Sequence, residues 1–166
     1  MTLALHVLVF LAVFVGMEGF AWAMHRYVMH GPLWVWHKSH HEPRHGAWEL
    51  NDLFAVVFAL PAMLFIWLGT LAPEGNSWFL PVGLGITAYG FVYFLFHDGL
   101  VHRRFPLPFR GRGPFWTPRI QAHRIHHAVG TKDGCVSFGF LWVQPARALK
   151  AELIQKRAAA SSSSGA

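Results

Sequence analysis

Three long apolar stretches, separated by polar segments, set the pattern of the chain. They cover residues 3–24, 53–71 and 78–96, and each is close to the roughly 20 residues that a membrane-spanning helix needs. None shows the polar stripe at helical spacing that a helix of a soluble bundle carries. The pattern therefore predicts an all-α integral membrane bundle with three spanning helices. These belong to a single domain over residues 1–157, followed by a disordered low-complexity tail at residues 158–166.

Two features of the predicted spans are left open: the role of the glycines in the third span, and the residue that caps the second span. Gly83, Gly85 and Gly90 in the third stretch permit a neighbouring helix to approach closely, or leave room for a ligand. Asn51 or Asp52 stands directly before the second stretch, where a short polar side chain can cap a helix. The hydrophobic pattern alone decides neither the role of the glycines nor which of Asn51 and Asp52 is the cap.

The composition supports a membrane protein, because 54% of the residues are hydrophobic and only 13% are charged, whereas soluble chains carry about 25% charged residues. None of the 14 Lys and Arg lies in residues 1–24 or in the loop 72–77, which carries Glu74 instead. If the N-terminus faces outward, three spans place every basic residue on the cytoplasmic side, as the positive-inside tendency expects. The net charge of +6 then serves contact with membrane lipids and protein docking, and no nucleic-acid binding is predicted.

Ten of the twelve histidines lie in four short clusters, which the three predicted crossings bring to one face of the membrane. Two clusters have the spacing HxxHH, which on a helix places three imidazoles on one face within one turn. Ten imidazoles exceed the three or four ligands of a zinc site but would supply two metal ions with about five each. The candidate ligands are His25 and His30; His37, His40 and His41; His97 and His102; and His123, His126 and His127.

The position of the clusters indicates the metal, since imidazole by itself suits zinc, copper, iron and nickel. A site at the membrane surface that opens toward apolar helices is placed to act on lipid-soluble substrates, which offer mostly C–H bonds. Breaking such bonds needs a redox metal that activates O₂, so two iron ions are predicted, which zinc could replace in a purified sample. The single cysteine, Cys135, excludes a cysteine-ligated iron–sulfur cluster and a CxxCH haem attachment.

Acidic residues near the histidines are too few and too scattered to build a carboxylate di-iron site of the bundle type. Glu42, Asp98 and Asp133 are instead predicted to lie behind the ligands and fix imidazole tautomers, with Asp98 the best candidate because it directly follows a candidate ligand. Glu18 lies inside the first span, seven residues before His25, so the two share a helix face. It is predicted either to orient an imidazole or to pack between helices as a protonated carboxyl.

No GxGxxG or Walker motif is present, so the chain should bind no nicotinamide or flavin, and electrons must come from another protein. A basic stretch beside the last two histidine clusters suits an acidic carrier such as ferredoxin, and suits anionic lipid headgroups equally well. Its members are Arg103, Arg104, Arg110, Arg112, Arg119 and Arg124. Three aromatic residues late in the third span, Phe91, Tyr93 and Phe94, are predicted to hold the apolar substrate, with helix packing as the alternative.

Six segments carry a resemblance to a known family: HRYVMH, HKSHHEPR, NDLFAVVFA, HDGLVHRR, AHRIHHAV and GCVSFGF. In this order and spacing they resemble the bacterial β-carotene 3-hydroxylases of the fatty acid hydroxylase superfamily, over about residues 15–145. The spacing HxxHH alone indicates only the superfamily, whereas HDGLVH together with GCVSFGF is much more specific. The resemblance is loosest at residues 105–118, which leaves donor docking and substrate access open.

The resemblance implies a non-haem di-iron monooxygenase with the ten clustered histidines as ligands. The implied reaction uses O₂ and external electrons to add a hydroxyl group at C3 of the β-ionone ring, converting β-carotene through β-cryptoxanthin to zeaxanthin. The implied location is the bacterial inner membrane, with the N-terminus outside and the metal site on the cytoplasmic side. Alternatives with the same chemistry are a carotenoid ketolase and a fatty acid or sterol hydroxylase. The alternative outside the enzymes is a non-catalytic metal-binding or metal-transport membrane protein.

Overall fold

The fold is all-helical in the part of the chain that the computed structural model describes, residues 2–73 and 77–163, and no strand occurs there. The α-helices are α1 (Leu3–Ala23), α2 (Trp34–His41), α3 (Leu53–Leu71), α4 (Phe79–Phe94), α5 (Trp116–His126) and α6 (Ala146–Ser163). Three further helical segments are a π-helix that continues α1, a 3₁₀ turn before α3 and a π-helix that continues α4, at Met24–Met29, Leu50–Asp52 and Leu95–Val101. The predicted fold class is confirmed.

Three helical stretches are long and apolar enough to cross a membrane: Leu3–Met29, Leu50–Leu71 and Phe79–Val101. In their most apolar windows only 6%, 11% and 28% of the residues, respectively, are buried inside the protein. Most of their large apolar side chains therefore face outward, an arrangement that suits lipid and not water. The chain is a membrane protein with three spans, as predicted, and the third span is the most enclosed.

Close packing along α4 explains its central position. A Cβ atom added at Gly83 would lie 2.8 Å from Ile66 of α3, and one added at Gly85 would lie 2.9 Å from Val13 of α1. These two glycines thus let both neighbouring helices approach, which is one of the two roles predicted for them. At Gly90, about two turns closer to the histidines, no described atom lies within 4 Å of an added Cβ, so the helices leave open space there.

Both spans that lead to histidine clusters extend beyond their predicted ends at residues 24 and 96. They continue as π-helices to Met29 and Val101, in which hydrogen bonds join residues five apart and the turn is wider than in an α-helix. One π-helical turn is too short to leave a hydrophobic repeat, so the sequence pattern did not indicate it. The predicted outer turn with Glu74 lies partly outside the described residues.

The C-terminal helix α6 packs against α5, which carries the last histidine cluster. One buried apolar cluster joins the two helices and the segment between them, and its members are Ala122, Ile125, Val136, Leu149 and Leu153. The structure differs from the prediction at residues 158–163, which were expected to be disordered but continue α6. The alanines there favour a helix, and the Ser162 hydroxyl donates to the main-chain carbonyl of Ala159. The rest of the predicted tail, residues 164–166, lies outside the described chain.

Candidate metal centre

The clustered histidines, although up to 102 residues apart along the chain, converge at the C-terminal ends of α1 and α4. Nitrogen atoms of nine of them form two groups, and within each group the atoms lie within 4.8 Å of one another. We call these groups site 1 and site 2. Site 1 consists of His25, His30, His37, His41 and His126, and site 2 contains His40, His97, His102 and His123.

His127, the tenth clustered histidine, lies against both sites. Its ring centroid is 4.7 Å from that of His40 and 4.6 Å from that of His123, and it stacks on the His41 ring at 4.4 Å. Its Nε2 atom is buried and has no hydrogen-bond partner among the described residues. Because a buried polar atom without a partner is costly, this nitrogen is available to a metal ion. With His127 in site 2, each site has five imidazoles.

Main-chain carbonyl groups fix the orientation of the site 1 imidazoles. Four of the five rings donate from Nδ1–H to a carbonyl oxygen at 2.9–3.1 Å. The fifth, His37, donates to the side-chain oxygen of Asn51 at 2.7 Å. Since these oxygens can only accept, Nδ1 must carry the proton and Nε2 must carry the lone pair. The carbonyl pairs are His25 with Phe138, His30 with Lys132, His41 with Val129 and His126 with Val136.

Carboxylates take the place of carbonyls behind site 2. His40 donates from Nδ1–H to Glu49 at 3.1 Å, and His97 donates to Asp98 at 3.0 Å. Asp98 therefore has the position predicted for it. Glu49 was not singled out from the sequence, and the only signal for it was its place in the polar loop that follows the HKSHH cluster.

Within each site, the Nε2 atoms of the imidazoles face one another. Five pairs of Nε2 atoms lie only 2.9–3.3 Å apart, and where both Nδ1 atoms hold the protons, two lone pairs meet without a hydrogen between them. That contact is repulsive unless a cation lies between the nitrogens. Two nitrogens about 2.1 Å from one metal ion and about 90° apart are separated by about 3.0 Å, so the imidazoles present fit a metal ion in each site. The pairs are His25–His37, His37–His41, His30–His126, His40–His97 and His102–His123.

The imidazoles of each HxxHH cluster are divided between the two sites. His37 and His41 belong to site 1, whereas His40 belongs to site 2. The second cluster divides the opposite way, because His126 belongs to site 1 while His123 belongs to site 2. The sequence placed three imidazoles of a cluster on one helix face, and the structure adds that this face lies between two sites. Each cluster thus ties the two sites together.

The π-helices explain the spacing HxxxxH at the ends of α1 and α4. In an α-helix, residues five apart point about 140° away from each other. The π-helical hydrogen bonds, His30 N–H to the His25 carbonyl at 3.0 Å and His102 N–H to the His97 carbonyl at 2.9 Å, close a wider turn and bring each pair toward one side. His25 and His30 therefore enter site 1 together, and His97 and His102 enter site 2 together.

Burial holds the imidazoles in the neutral form that binds metal. Burial, with smaller contributions from neighbouring imidazoles, lowers the pKa of His37 and His102 to about 3, of His41 to about 4 and of His127 to about 2. Burial likewise lowers the pKa of the other candidate ligands outside the spans, which are His30, His40, His123 and His126. No proton has to be displaced from these rings when a metal ion binds near neutral pH.

Arg104 stabilises the carboxylates behind site 2. Its guanidinium donates to both carboxylate oxygens of Asp52 at 2.6 and 2.7 Å and lies 3.5 Å from Asp98. Such bidentate pairs are strong and fix geometry. Asp52 also accepts from the main-chain N–H of Glu49, so neither it nor Asn51 caps α3 through its side chain. The predicted capping role holds for Asp52 one turn earlier, since it forms a capping box with Glu49 at the start of the 3₁₀ turn that leads into α3, whereas the Asn51 side chain accepts from His37 instead.

The other two predicted acids do not contact an imidazole. Glu42 pairs with Lys38 at 3.1 Å, and both side chains are half exposed. Beside Asp133 it is the main-chain carbonyl of Lys132 that accepts from His30. Main-chain carbonyl oxygens thus accept several of the imidazole hydrogen bonds for which the sequence predicted carboxylates. No side-chain pattern reveals such acceptors.

Glu18 is buried between α1 and α4, which agrees with the packing part of the second alternative predicted for it, and its carboxyl group also binds a backbone loop that neither alternative included. One carboxylate oxygen accepts from the main-chain N–H groups of Phe140, Leu141 and Trp142 at 2.7–3.1 Å, and the other accepts from the Tyr89 hydroxyl at 2.8 Å. The carboxylate thereby holds the loop that follows Phe138, whose carbonyl orients His25. Glu18 acts on site 1 through the backbone of that loop.

An apolar cavity of about 370 Å³ lies between α1, α3 and α4 and reaches His25 and His37 of site 1 and His97 and His123 of site 2. Tyr93 and Phe94 line it, as predicted for a substrate pocket, and the Tyr93 ring stacks on His97 with centroids 4.8 Å apart. Phe91 does not line it and is 61% exposed. Its predicted role in holding substrate does not fit this position, because the sequence could not reveal which face of α4 borders the cavity.

A polar cavity of about 430 Å³ lies on the other side of site 2, and it is lined by Arg44, Glu49, Arg104 and Arg124 together with five histidines. Of the predicted basic stretch, Arg104 is paired with Asp52, and the Arg119 guanidinium packs 3.8 Å from the Phe115 ring centroid. The other four arginines are exposed. The metal centre thus lies between an apolar cavity and a polar one.

Comparison with known proteins identifies relatives that match most of the chain. A sequence profile described as "Fatty acid hydroxylase" matches residues 10–144. A protein named "Beta-carotene hydroxylase" from Pantoea ananas is 50% identical over 145 residues, which cover 87% of this chain and 81% of that protein. Another of the same name, from Pseudescherichia vulneris, is 49% identical over 142 residues, covering 86% of this chain and 79% of the relative.

Plant proteins share the core of the chain. "Beta-carotene 3-hydroxylase 2, chloroplastic" from Arabidopsis thaliana is 44% identical over 118 residues, which are 68% of this chain and 38% of that longer protein. No solved structure matches the chain.

Proposed function

We propose that this chain, which belongs to the fatty acid hydroxylase family, hydroxylates the β-ionone ring of β-carotene at C3, giving β-cryptoxanthin and then zeaxanthin. The observation that carries the proposal is the pair of five-imidazole sites at the end of an apolar cavity between spanning helices. The names of the bacterial and plant relatives support the substrate. The metal centre supports oxidation of a C–H bond.

The residues that would hold the metal ions are the ten clustered histidines, five in each site. An all-nitrogen set of imidazoles suits iron, zinc, copper or nickel, and we assign two iron ions, which zinc could replace in purified protein. When bound, the iron pair would supply the O₂-activating redox chemistry that an unactivated C–H bond requires. O₂, electrons and protons would then yield the hydroxylated ring and water.

The protein's own side chains would position the ring and keep water away from it. Tyr93, Phe94 and Phe140 line the apolar cavity beside His97, and their rings offer broad apolar surfaces to a cyclohexene ring. The cavity is closest to the histidines at the ends of α1 and α4, so the ring end of a carotenoid would reach the metal centre first. The polar cavity on the other side of site 2 gives protons and water a separate path.

We assign electron delivery to an acidic carrier such as ferredoxin that docks on the polar side of site 2. Arg44 and Arg124 line the polar cavity and are exposed, and opposite charges steer such encounters. Arg103, Arg110 and Arg112 are exposed nearby in sequence and suit the same carrier or anionic lipid headgroups. This face would lie on the cytoplasmic side of the bacterial inner membrane, with the N-terminus outside.

Expression in a bacterium that accumulates β-carotene, followed by pigment chromatography, tests the proposal. We expect β-cryptoxanthin and zeaxanthin to replace β-carotene when iron and a reductant system are supplied. Unchanged β-carotene, with the protein present in the membrane fraction, would refute the hydroxylase assignment. A keto product in place of a hydroxyl product would indicate a ketolase, and metal analysis of the purified protein would establish which metal the sites hold.

A further inference from the structure

We propose that the groove between α1 and α3 is the portal through which the carotenoid enters from the bilayer, and that its polyene chain lies in this groove while the end ring is at the metal centre. The proposal rests on the function proposed above and adds a route and a set of residues to it. The portal residues are Met17, Phe20, Ala21, Ala55, Phe58 and Ala59, all of which line the apolar cavity.

The packing of α4 determines where the cavity can open. Helices α1 and α3 both pack extensively on α4, and no comparable contact joins α1 to α3 in the described chain. In the N-terminal half of α4, Gly83 and Gly85 bring α3 and α1 close to this helix. In its C-terminal half, a Cβ added at Gly90 would meet no described atom within 4 Å. The three helices therefore separate toward the histidines and leave a groove between α1 and α3 with α4 as its floor.

The cavity-lining residues of α4 lie on the side of the helix that this arrangement requires. Ile86, Tyr89, Gly90 and Tyr93 line the cavity and follow one another at helical spacing, in the arc between the face that packs on α1 and the face that packs on α3. Leu84 and Phe91 lie on the opposite arc, do not line the cavity and are 43% and 61% exposed. The cavity thus faces the groove.

A pair of aromatic rings stands where α1 and α3 face each other. Phe20 of α1 and Phe58 of α3 meet edge to face, with ring centroids 5.9 Å apart. Phe20 is 48% exposed, so the pair is reached from the lipid side. Its neighbours are alanines and methionines, and small or flexible side chains of this kind let an elongated ligand pass without disturbing the backbone.

Size requires the substrate to extend out of the cavity. A volume of about 370 Å³ accommodates an end ring and a short part of the chain, whereas a carotenoid is about as long as the hydrocarbon core is thick, about 30 Å. The remaining polyene must lie in apolar surroundings. The polar cavity is excluded by its charged lining of Arg44, Glu49 and Arg124, since a polyene lying against these charged groups would displace the water that solvates them, which costs free energy. The groove opens directly to lipid.

Substrates of two lengths distinguish the portal from the ring pocket. In the Ala59→Trp variant the groove is filled, so we expect turnover of β-carotene to fall about tenfold or more, while β-ionone, a ring with a short tail that fits inside the cavity, keeps turnover within about twofold of wild type. Gly90→Leu fills the cavity itself and should slow both substrates. Leu60→Trp is the matched control, because Leu60 neighbours Ala59 but is 60% exposed and does not line the cavity.

Equal loss of turnover with both substrates, or no loss with β-carotene in Ala59→Trp, would overturn the portal. A second measurement does not depend on turnover: a photoreactive benzoylphenylalanine at Phe58 should crosslink β-carotene in a saturable manner, whereas the same group at Leu60 should give a signal that rises in proportion to the carotenoid in the membrane. Saturation at Leu60 and not at Phe58 would contradict the proposal. A wild-type protein that hydroxylates neither substrate would contradict the function instead, and the crosslinking result would still decide the portal.

Discussion

The two candidate metal sites contain five imidazoles each when His127 is counted in site 2, but different groups lie behind these imidazoles. In site 1, the rings donate to main-chain carbonyls and to the amide of Asn51. In site 2, two rings donate to the carboxylates of Glu49 and Asp98. A carboxylate behind an imidazole raises its basicity as a ligand more than a neutral carbonyl does. Equal ligand number therefore does not make the sites equivalent, and the ion in site 2 should be held by the stronger donors.

The surroundings of the sites extend this difference. Arg104 binds Asp52 and approaches Asp98, so the negative charge behind site 2 belongs to a network with a partly buried positive charge. Behind site 1 there is instead a backbone loop that the intramembrane Glu18 holds in place. The orientation of His40 and His97 in site 2 thus depends on charged groups, whereas the orientation of His25 in site 1 depends on the position of a backbone loop. The predictions below test this division.

The largest effects should follow from removing neighbouring ligands that belong to different sites. His40 and His41 are adjacent in the sequence, yet His40 lies in site 2 and His41 in site 1. We expect His40→Ala and His41→Ala each to lower hydroxylation by at least about a hundredfold, since even the groups behind metal ligands are worth about 10–100-fold. Mössbauer spectra of protein loaded with iron should lose a different component in each variant.

Both variants should remain in the membrane fraction, because the three spans do not depend on either ring. Loss of the same spectral component in both would show that the division into two sites is incorrect. Full activity of His40→Ala would refute its role as a ligand.

Changing the side chains that accept hydrogen bonds from the imidazoles should have the next largest effect, which is on metal affinity. Glu49→Gln removes the negative charge behind His40 while keeping a side-chain oxygen as acceptor, so we expect the affinity of site 2 for metal to fall about 10–100-fold, measured by titration with a chelator. Asn51→Asp introduces a carboxylate behind His37 of site 1 and should leave both metals in place while changing the spectrum of site 1. If Glu49→Gln left metal retention unchanged, charge would not distinguish the sites.

Removing the acceptor that holds the loop should affect site 1 alone. Glu18→Leu leaves three main-chain N–H groups without their partner, at about 1–3 kcal/mol for each that stays buried, and frees the loop that orients His25. We expect a lower melting temperature and selective loss of the site 1 metal signal. Glu18→Gln retains an oxygen that can accept from the same N–H groups and should restore most of that signal. A variant that lost the site 2 signal first would contradict this account.

The spans, the fold class and the convergence of the ten histidines were predictable because they depend on short-range patterns. Three apolar stretches and the clustering of imidazoles are visible within windows of about 20 residues. The position of Asp98 was predictable for the same reason, since it adjoins His97. The C-terminal limit of α6 was not, because a run of alanine and serine is compatible with both a helix and a disordered tail.

The division of the histidines between two sites could not be predicted, because it depends on contacts between distant segments. His126 of α5 lies in site 1 with imidazoles from α2 and from the π-helix that continues α1, and His40 of α2 lies in site 2 with His97 and His123. Glu18 was predicted either to orient an imidazole or to pack between helices as a protonated carboxyl, and neither alternative included the three main-chain N–H groups, more than 120 residues away, from which it accepts. Phe91 was grouped with Tyr93 because both are aromatic and close in sequence, and only the packing of α4 reveals that they lie on different faces.

Acidification should have the smallest effect, a change in the melting temperature of metal-free protein, and it allows one histidine of each site to be compared. Burial lowers the pKa of His41 in site 1 to about 4 and that of His127 in site 2 to about 2, compared with about 6.5 in an unfolded chain. Because the unfolded chain takes up these protons first, the stability of metal-free protein is full above pH 6.5 and is lost as the pH falls below it. The melting temperature in detergent should therefore be level between pH 7 and 8 and lower at pH 5.

The two sites should differ only at lower pH. Between pH 6.5 and about 4 both rings stay neutral in the folded protein, so His41→Gln and His127→Gln should each reduce the pH dependence of the melting temperature by a similar amount. Below about pH 4 the folded protein can protonate His41 but not His127, so the contribution of His41 levels off while that of His127 continues to grow. A melting temperature that rose on acidification would instead show that the rings gain protons on folding, and that metal binding must displace them.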